Sequence, residues 1–210
     1  LDVSGATSLE GLECPNNQLT SLDVSGATAL TELFCDNNQL TTLDVSNNTA
    51  LTNLDCHTNN LTTLDVSSAT ALRRLDCENN QLTCLDVSNN TDLDELVCGD
   101  NFLNQLSLQN GNYLDFEIEA QSNNLICVEV DNVGYANVNW IDVFDNGVVF
   151  NTNCNYTNPC ATVSTIEEHT TNKDLLKITD ILGRETEEKR NTLLFYIYKD
   201  GTVEKKIIIE

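Results

Sequence analysis

Apolar residues return along the first half of this chain at one fixed step. Leu9, Leu12, Cys14, Leu19, Leu22 and Val24 recur 21 residues later as Leu30, Leu33, Cys35, Leu40, Leu43 and Val45. The third of these positions is Cys14, Cys35, Cys56, Cys77 and Cys98, and Asn17, Asn38, Asn59, Asn80 and Asn101 keep the same step. Leu12 and Cys14 alternate with polar neighbours, which is the pattern of a half-buried strand. A unit this short cannot bury its apolar face alone, so the units must stack. Each strand then lies roughly 4.8 Å from its equivalent in the next coil, and a parallel sheet forms along one face.

The second half of each unit alternates as well. Leu22-Asp23-Val24, Leu43-Asp44-Val45, Leu64-Asp65-Val66 and Leu85-Asp86-Val87 turn two apolar groups inward and one Asp outward, predicting short extended segments on the opposite face. No stretch of the repeat carries a 3.6-residue apolar period, so little helix is expected. A buried Asn amide can satisfy backbone groups that a tight corner leaves unpaired, which gives the Asn ladder a structural role. Asn-Asn, Ser-Gly and Asn-Thr pairs mark the remaining corners.

The unit Leu9-x-x-Leu12-x-Cys14-x-x-Asn17-x-Leu19 resembles the leucine-rich repeat, with Cys in the third apolar slot. The fold class expected is therefore mainly β: a leucine-rich repeat solenoid of 21-residue coils over residues 1–130. The cysteine ladder suggests a metal less well than it suggests packing. Free Cys behaves as a small hydrophobe, and five thiols on five coils point the same way, whereas zinc gathers its ligands around one centre. Parallel Cβ vectors also make poor disulfides between neighbouring coils.

Charge divides the chain. Of a net −23, residues 1–160 hold 23 acidic groups against Arg73 and Arg74, whereas residues 161–210 hold 10 acidic and 8 basic groups. A domain boundary near Cys160 follows. An acidic solenoid lacks the basic stripe that nucleic acid requires, and suits solubility, cationic partners or calcium. No apolar run is long enough to span a bilayer. The chain opens in mid-repeat and contains no Met, so a signal peptide and earlier repeats are expected upstream of Leu1.

The repeat loosens after Leu108. One irregular coil, shifted by one residue, follows through Ile118, Asn123 and Val128. Trp140, Val143, Phe144, Val149 and Phe150 then form an apolar cluster without repeat. Residues 131–160 are read as a C-terminal cap on the last open coil. A disulfide between Cys127 and Cys154 would pin it, while Cys84 falls on a solvent position with no evident partner.

A Thr/Ser/Glu-rich linker, 161–172, leads to a tail at 173–210 whose Asp200-Gly201 between two apolar runs predicts a hairpin in a small antiparallel β domain. Asp180-Ile-Leu-Gly183-Arg184, the run Phe195-Tyr196-Ile-Tyr198-x-Asp200-Gly201 and the Lys-Lys-Ile ending resemble the C-terminal sorting domain of the type IX secretion system of Bacteroidetes. The Pro-Asn-Pro element of its longer version is absent. The resemblance implies the type IX machinery as a partner, export across the outer membrane, loss of the tail, and a product that is secreted or held on the outer-membrane surface.

The expected binding surface is the outward side of the Leu-x-x-Leu-x-Cys strands, because exposed aromatics and Arg dominate binding energy. Phe34, Asp55, His57, Arg74 and Asp76 make the candidate contact patch; a solvated face with no dedicated ligand is the alternative. The Asp ladder (Asp2, Asp23, Asp44, Asp65, Asp86) stacks like charges, which hydrogen bonds to Ser25, Thr28 and their equivalents could offset. Calcium bridging of Asp23, Asp44, Asp65 and Asp86 is the alternative. No cofactor is expected. Catalysis has little support: the two histidines, His57 and His169, fall in different domains, and no nucleophile elbow, phosphate loop or zinc motif is present. The sequence thus points to a secreted or cell-surface module that binds protein or glycan in adhesion. Two other readings stay open, an accessory recognition module of a larger secreted enzyme encoded upstream and a passive surface spacer.

Overall fold

The computed structural model describes residues 1–114, 116–156 and 160, together with the strand backbones 175–179, 193–198 and 203–207. The chain divides into two compact units, Leu1–Thr162 and Val163–Glu210.

In the first unit each Leu-x-x-Leu-x-Cys segment forms one three-residue strand: β1 (Gly11–Glu13), β2 (Glu32–Phe34), β3 (Asn53–Asp55) and β4 (Arg74–Asp76). β5 (Cys84–Asp86) starts a second sheet, and β6 (Glu95–Val97) and β8 (Glu117–Glu119) continue the first. The first sheet runs β1-β2-β3-β4-β6-β8, all parallel. Its register is fixed by the middle Leu of each strand: Leu33 faces Leu54, Leu54 faces Leu75, and Leu75 faces Leu96. A slip of one residue would turn these leucines outward, so the repeat itself sets the pairing. Leu30, Leu33, Leu51, Leu54, Leu72 and Leu75 are fully or almost fully buried. Truncating any of them to Ala would cost roughly 2–5 kcal/mol.

The second sheet is β5-β7-β9-β10, with β7 at Gln105–Leu108, β9 at Cys127–Val130 and β10 at Val149–Asn151. Here the expectation of extended segments on the opposite face holds only from the fourth full repeat onward. In earlier coils Leu22, Val24, Leu43 and Val45 are buried and Asp23 and Asp44 exposed, as the alternation requires. They form no ladder beyond a single Asp2–Asp23 bridge.

Corners explain the Asn ladder. Asn38, Asn59, Asn80 and Asn101 are buried. Asn59 Nδ2 donates to the carbonyls of Cys56 and Cys35, both at 3.1 Å, and its Oδ1 accepts from Leu40 N at 2.9 Å. Asn80 repeats this one coil on. The residue before each ladder Asn takes a positive φ: Asn16, Asn37, Thr58, Asn79 and Asp100. Asn and Asp visit that region readily and β-branched residues do not, so Thr58 (φ 52°) is the strained member. A second pair, Asn48 and Asn90, is completely buried. Each donates twice to backbone carbonyls and leaves its Oδ1 without a partner among the described residues.

After β9 the chain departs from the repeat. Asn132 Oδ1 accepts from Tyr135 N and starts α1 (Val133–Asn139), and a 3₁₀ turn follows at Ile141–Val143. Trp140 packs edge-on against Phe116, Tyr135 and Phe150, and Phe144 against Phe150. Val149 does not join this cluster. It is 55% exposed because β10 pairs in parallel with β9, and the strand alternation turns Phe150 inward and its neighbours out. The segment therefore extends the second sheet by one strand as well as covering the last coil.

Both disulfides lie beside that sheet. Cys127 is joined to Cys154, as expected, and Cys84 to Cys160 with a Cα–Cα distance of 5.4 Å. The reading of Cys84 as partnerless is corrected: its outward position on β5 is what lets the returning chain reach it. Tyr156 adds a third tie, its hydroxyl donating to Cys127 O at 2.6 Å.

In the second unit β11 (Leu175–Thr179), β12 (Leu193–Tyr198) and β13 (Val203–Ile207) form an antiparallel sheet in that order. Ile197 pairs with Val203, and the expected turn at Asp200-Gly201 lies outside the described residues.

Candidate functional site

Parallel, in-register strands turn the first and third residue of every strand onto one outer face. The result is two rows: Glu32, Asn53, Arg74, Glu95, and alongside them Phe34, Asp55, Asp76, Val97. Four of the five candidate patch residues, Phe34, Asp55, Arg74 and Asp76, together with Asn53 and Glu95, line one hollow of about 200 Å³. Phe34 is half-buried rather than freely exposed. His57 does not line the hollow; it stands behind Asp55, its Nδ1 donating to Asp55 Oδ1 at 2.6 Å.

The face is acidic by construction. Outward strand positions carry Glu13, Glu32, Asp55, Asp76, Glu95, Glu117 and Glu119, and the single strand cation, Arg74, is already bound to Glu95 at 2.7 Å. The other solenoid cation, Arg73, pairs with Asp94. Register sets Asp55 directly beside Asp76. Burial and the charge of Asp55 push the Asp76 carboxyl up to about 6, against the opposing pull of the Glu78 amide and His57. For His57, burial alone would lower the pKa. The Asp55 hydrogen bond and the charges of Asp55, Asp76 and Asp36 outweigh it, and the net shift is upward.

Asp36, Asp55 and His57 each bring one ligand atom within 4.8 Å of the others. These groups already satisfy one another: His57 bonds Asp55, and Asn37 Nδ2 bonds Asp36. They form an internally paired cluster, and no metal is assigned to it. On the other side, Asp2, Asp23, Asp44, Asp65 and Asp86 each accept from the backbone N–H of the Ser two residues on, at 2.9–3.0 Å. The compensation comes from these Ser residues, through their backbone amides and, at Asp2 and Asp44, their side chains as well, and the hydrogen bonds of Asp23 do not include Thr28. Both Cys84 and Tyr156 escaped the sequence reading. The signal available was that Cys84 breaks the Thr that Thr42 and Thr63 place at its position.

The five ladder cysteines are free and buried. Desolvation pushes their thiols up, that of Cys98 to about 12, so they are inert packing groups. In the tail, Asp180, Gly183, Arg184, Asp200 and Gly201 lie outside the described residues. Tyr196 and Tyr198 fall on β12.

These features define a mainly β, parallel-strand solenoid of the leucine-rich repeat type, and known structures agree. The functional domain of InlJ from Listeria monocytogenes, which includes a cysteine ladder, superposes with a TM-score of 0.56 at 29% identity, covering 72% of this chain and 36% of that one. A leucine-rich repeat protein of Leptospira interrogans gives 0.54 at 24% identity, over 60% of this chain and 34% of that one. The chain thus spans about a third of the length of these structures. The LVIVD repeat family model matches residues 34–54, a single repeat's length. No curated protein matches the chain. Among the described residues, no helix is long and apolar enough to cross a membrane.

Proposed function

We propose that this chain is the recognition part of a secreted or cell-surface protein, binding a protein or glycan through the outer face of its six-stranded sheet, in adhesion and without chemistry of its own. The observation that carries this is the hollow that gathers Phe34, Asp55, Arg74 and Asp76 from three successive strands. An aromatic, an Arg and paired carboxylates converging on rigid strands are the residue types from which binding hot spots are made. The likeness to leucine-rich repeat structures supports the same reading. The route to the surface rests on the resemblance of residues 173–210 to a type IX sorting domain, which would make the secretion machinery the tail's own partner.

Binding is tested by probing arrays of extracellular proteins and glycans with the full chain and with its Phe34→Ala/Arg74→Ala variant. Ligands retained by the first and lost by the second are expected. Unchanged binding by the variant would remove the patch. Export is tested by placing residues 161–210 behind a signal peptide and a fluorescent reporter in a flavobacterium. Surface or secreted reporter is expected only where the type IX system works, and periplasmic retention in both strains would reduce the tail to a structural element.

A further inference from the structure

The binding face carries more negative charge than it can neutralise. Asp55 and Asp76 are register partners on adjacent strands, and strands in a sheet stand roughly 4.8 Å apart. Like charges at that spacing are destabilising. His57 serves Asp55 from behind at 2.6 Å and stands 3.9 Å from Asp76. Arg74 is committed to Glu95. Asp76, its side chain still about one-third exposed, therefore opens onto the hollow with His57, at 3.9 Å and already bonded to Asp55, as its nearest cationic group. Phe34 lines the same hollow. A neutral sugar would leave the repulsion in place and an acidic partner would add to it.

A guanidinium answers each feature. Its planar fork of donors can bridge two carboxylates, and it is weakly hydrated enough to leave water. It also stacks on an aromatic ring. The hollow, about 200 Å³, has room for one long side chain. The surrounding face continues the charge with Glu32, Glu117 and Glu119, so further cations along the same chain would meet carboxylates on other strands of the sheet. We infer that the outer face of the six-stranded sheet is a docking surface for a basic, arginine-bearing polypeptide segment, with one guanidinium seated between Phe34, Asp55 and Asp76. The inference rests on the recognition role proposed above and narrows its partner.

The test uses the full chain and a fluorescein-labelled peptide of alternating arginine and serine, with a citrulline-for-arginine peptide as neutral comparator. Anisotropy is read at about 0.15 M salt, where exposed charges are screened beyond roughly 8 Å. Saturable binding of the arginine peptide alone is expected. Asp55→Asn/Asp76→Asn should weaken it by about tenfold or more, and Phe34→Ala should weaken it by a smaller factor. The control Asp44→Asn/Asp65→Asn, which removes the same charge from the exposed ladder outside this sheet, should leave it unchanged. Circular dichroism shows that each variant is folded. Equal weakening by the control pair, equal binding of the citrulline peptide, or no saturable binding of the arginine peptide would overturn the inference. If a neutral glycan from the arrays loses binding in Phe34→Ala/Arg74→Ala while the arginine peptide never binds, the basic partner is wrong and the recognition role stands. If no array ligand depends on that variant, the recognition role itself falls.

Discussion

Asn80 reaches back one full coil and donates its side-chain amide to the carbonyl of Cys56 at 3.0 Å. The same amide donates to Cys77 O at 3.2 Å, and Oδ1 accepts from Leu61 N at 2.9 Å. One side chain thus closes its own corner and joins it to the previous coil. Alanine there would orphan the Leu61 amide, at about 1–3 kcal/mol unless water enters, and would take one of two side-chain donors from the carbonyls of Cys56 and Cys77, which keep Asn59 and Asn101. We expect Asn80→Ala to lower unfolding free energy by roughly 2–4 kcal/mol, measured by urea denaturation. Asn17→Ala, at an exposed corner with two such bonds, should cost less.

Thr58 is a β-branched residue held at φ 52° where its counterparts are Asn or Asp. Relieving that strain should stabilise the chain. Thr58→Asn is expected to raise unfolding free energy by about 1 kcal/mol, the Thr58 Oγ1 contact from Asn79 being the smaller loss. A lowered melting temperature would show that this contact outweighs the backbone.

Cysteine chemistry separates into two groups. Four cysteines form the Cys84–Cys160 and Cys127–Cys154 bridges, and five are free and buried. A thiol reagent at mildly alkaline pH should leave the native protein largely unmodified, with Cys14 at the solenoid's first strand reacting first, and label all five only after denaturation. Peptide mapping without reduction should return the two pairs. Loss of either bridge through paired alanines is expected to cost about 2–5 kcal/mol.

Stability should fall between mildly acid and mildly alkaline pH. Asp76 has a folded pKa of about 6 against 3.8 ordinarily. Its ionisation penalises the fold, with no penalty below 3.8 and the full one above about 6. His57 is raised above 6.5, so its contribution is complete below 6.5 and lost as pH rises through the folded value. Asp2 and Asp44 are lowered, chiefly by hydrogen bonds from Ser4 and Ser46, and act oppositely, losing their contribution below 3.8. A melting temperature highest near about pH 5 follows. His57→Asn and Asp76→Asn should flatten its fall toward pH 8, and a slope unchanged in both would contradict the assignment.

The repeat made most of the fold legible. A 21-residue step fixes coil length, register and which leucines are inside, since a stack has few other ways to bury them. The patch was legible for the same reason, because period and alternation place Phe34, Asp55, Arg74 and Asp76 on one face without any knowledge of tertiary structure. What escaped lies where the period ends. Helix α1 is seven residues long, too short for an apolar period to declare itself, and is started by one Asn132 cap. The Cys84–Cys160 bridge spans 76 residues, a contact no local pattern encodes. Val149 was misplaced because parallel pairing of β10, and not aromatic clustering, sets its direction.

The working surface is most directly tested by carboxyl footprinting. The full chain, alone and saturated with its strongest array ligand, is labelled with a carbodiimide and glycine ethyl ester, and modification is read residue by residue. The face proposed here predicts protection of Asp55, Asp76 and Glu95, with Asp44, Asp65 and Asp86 labelled as before. Protection of the Asp44–Asp65–Asp86 ladder with Asp55 and Asp76 still open would place recognition on the other side of the solenoid and contradict the account.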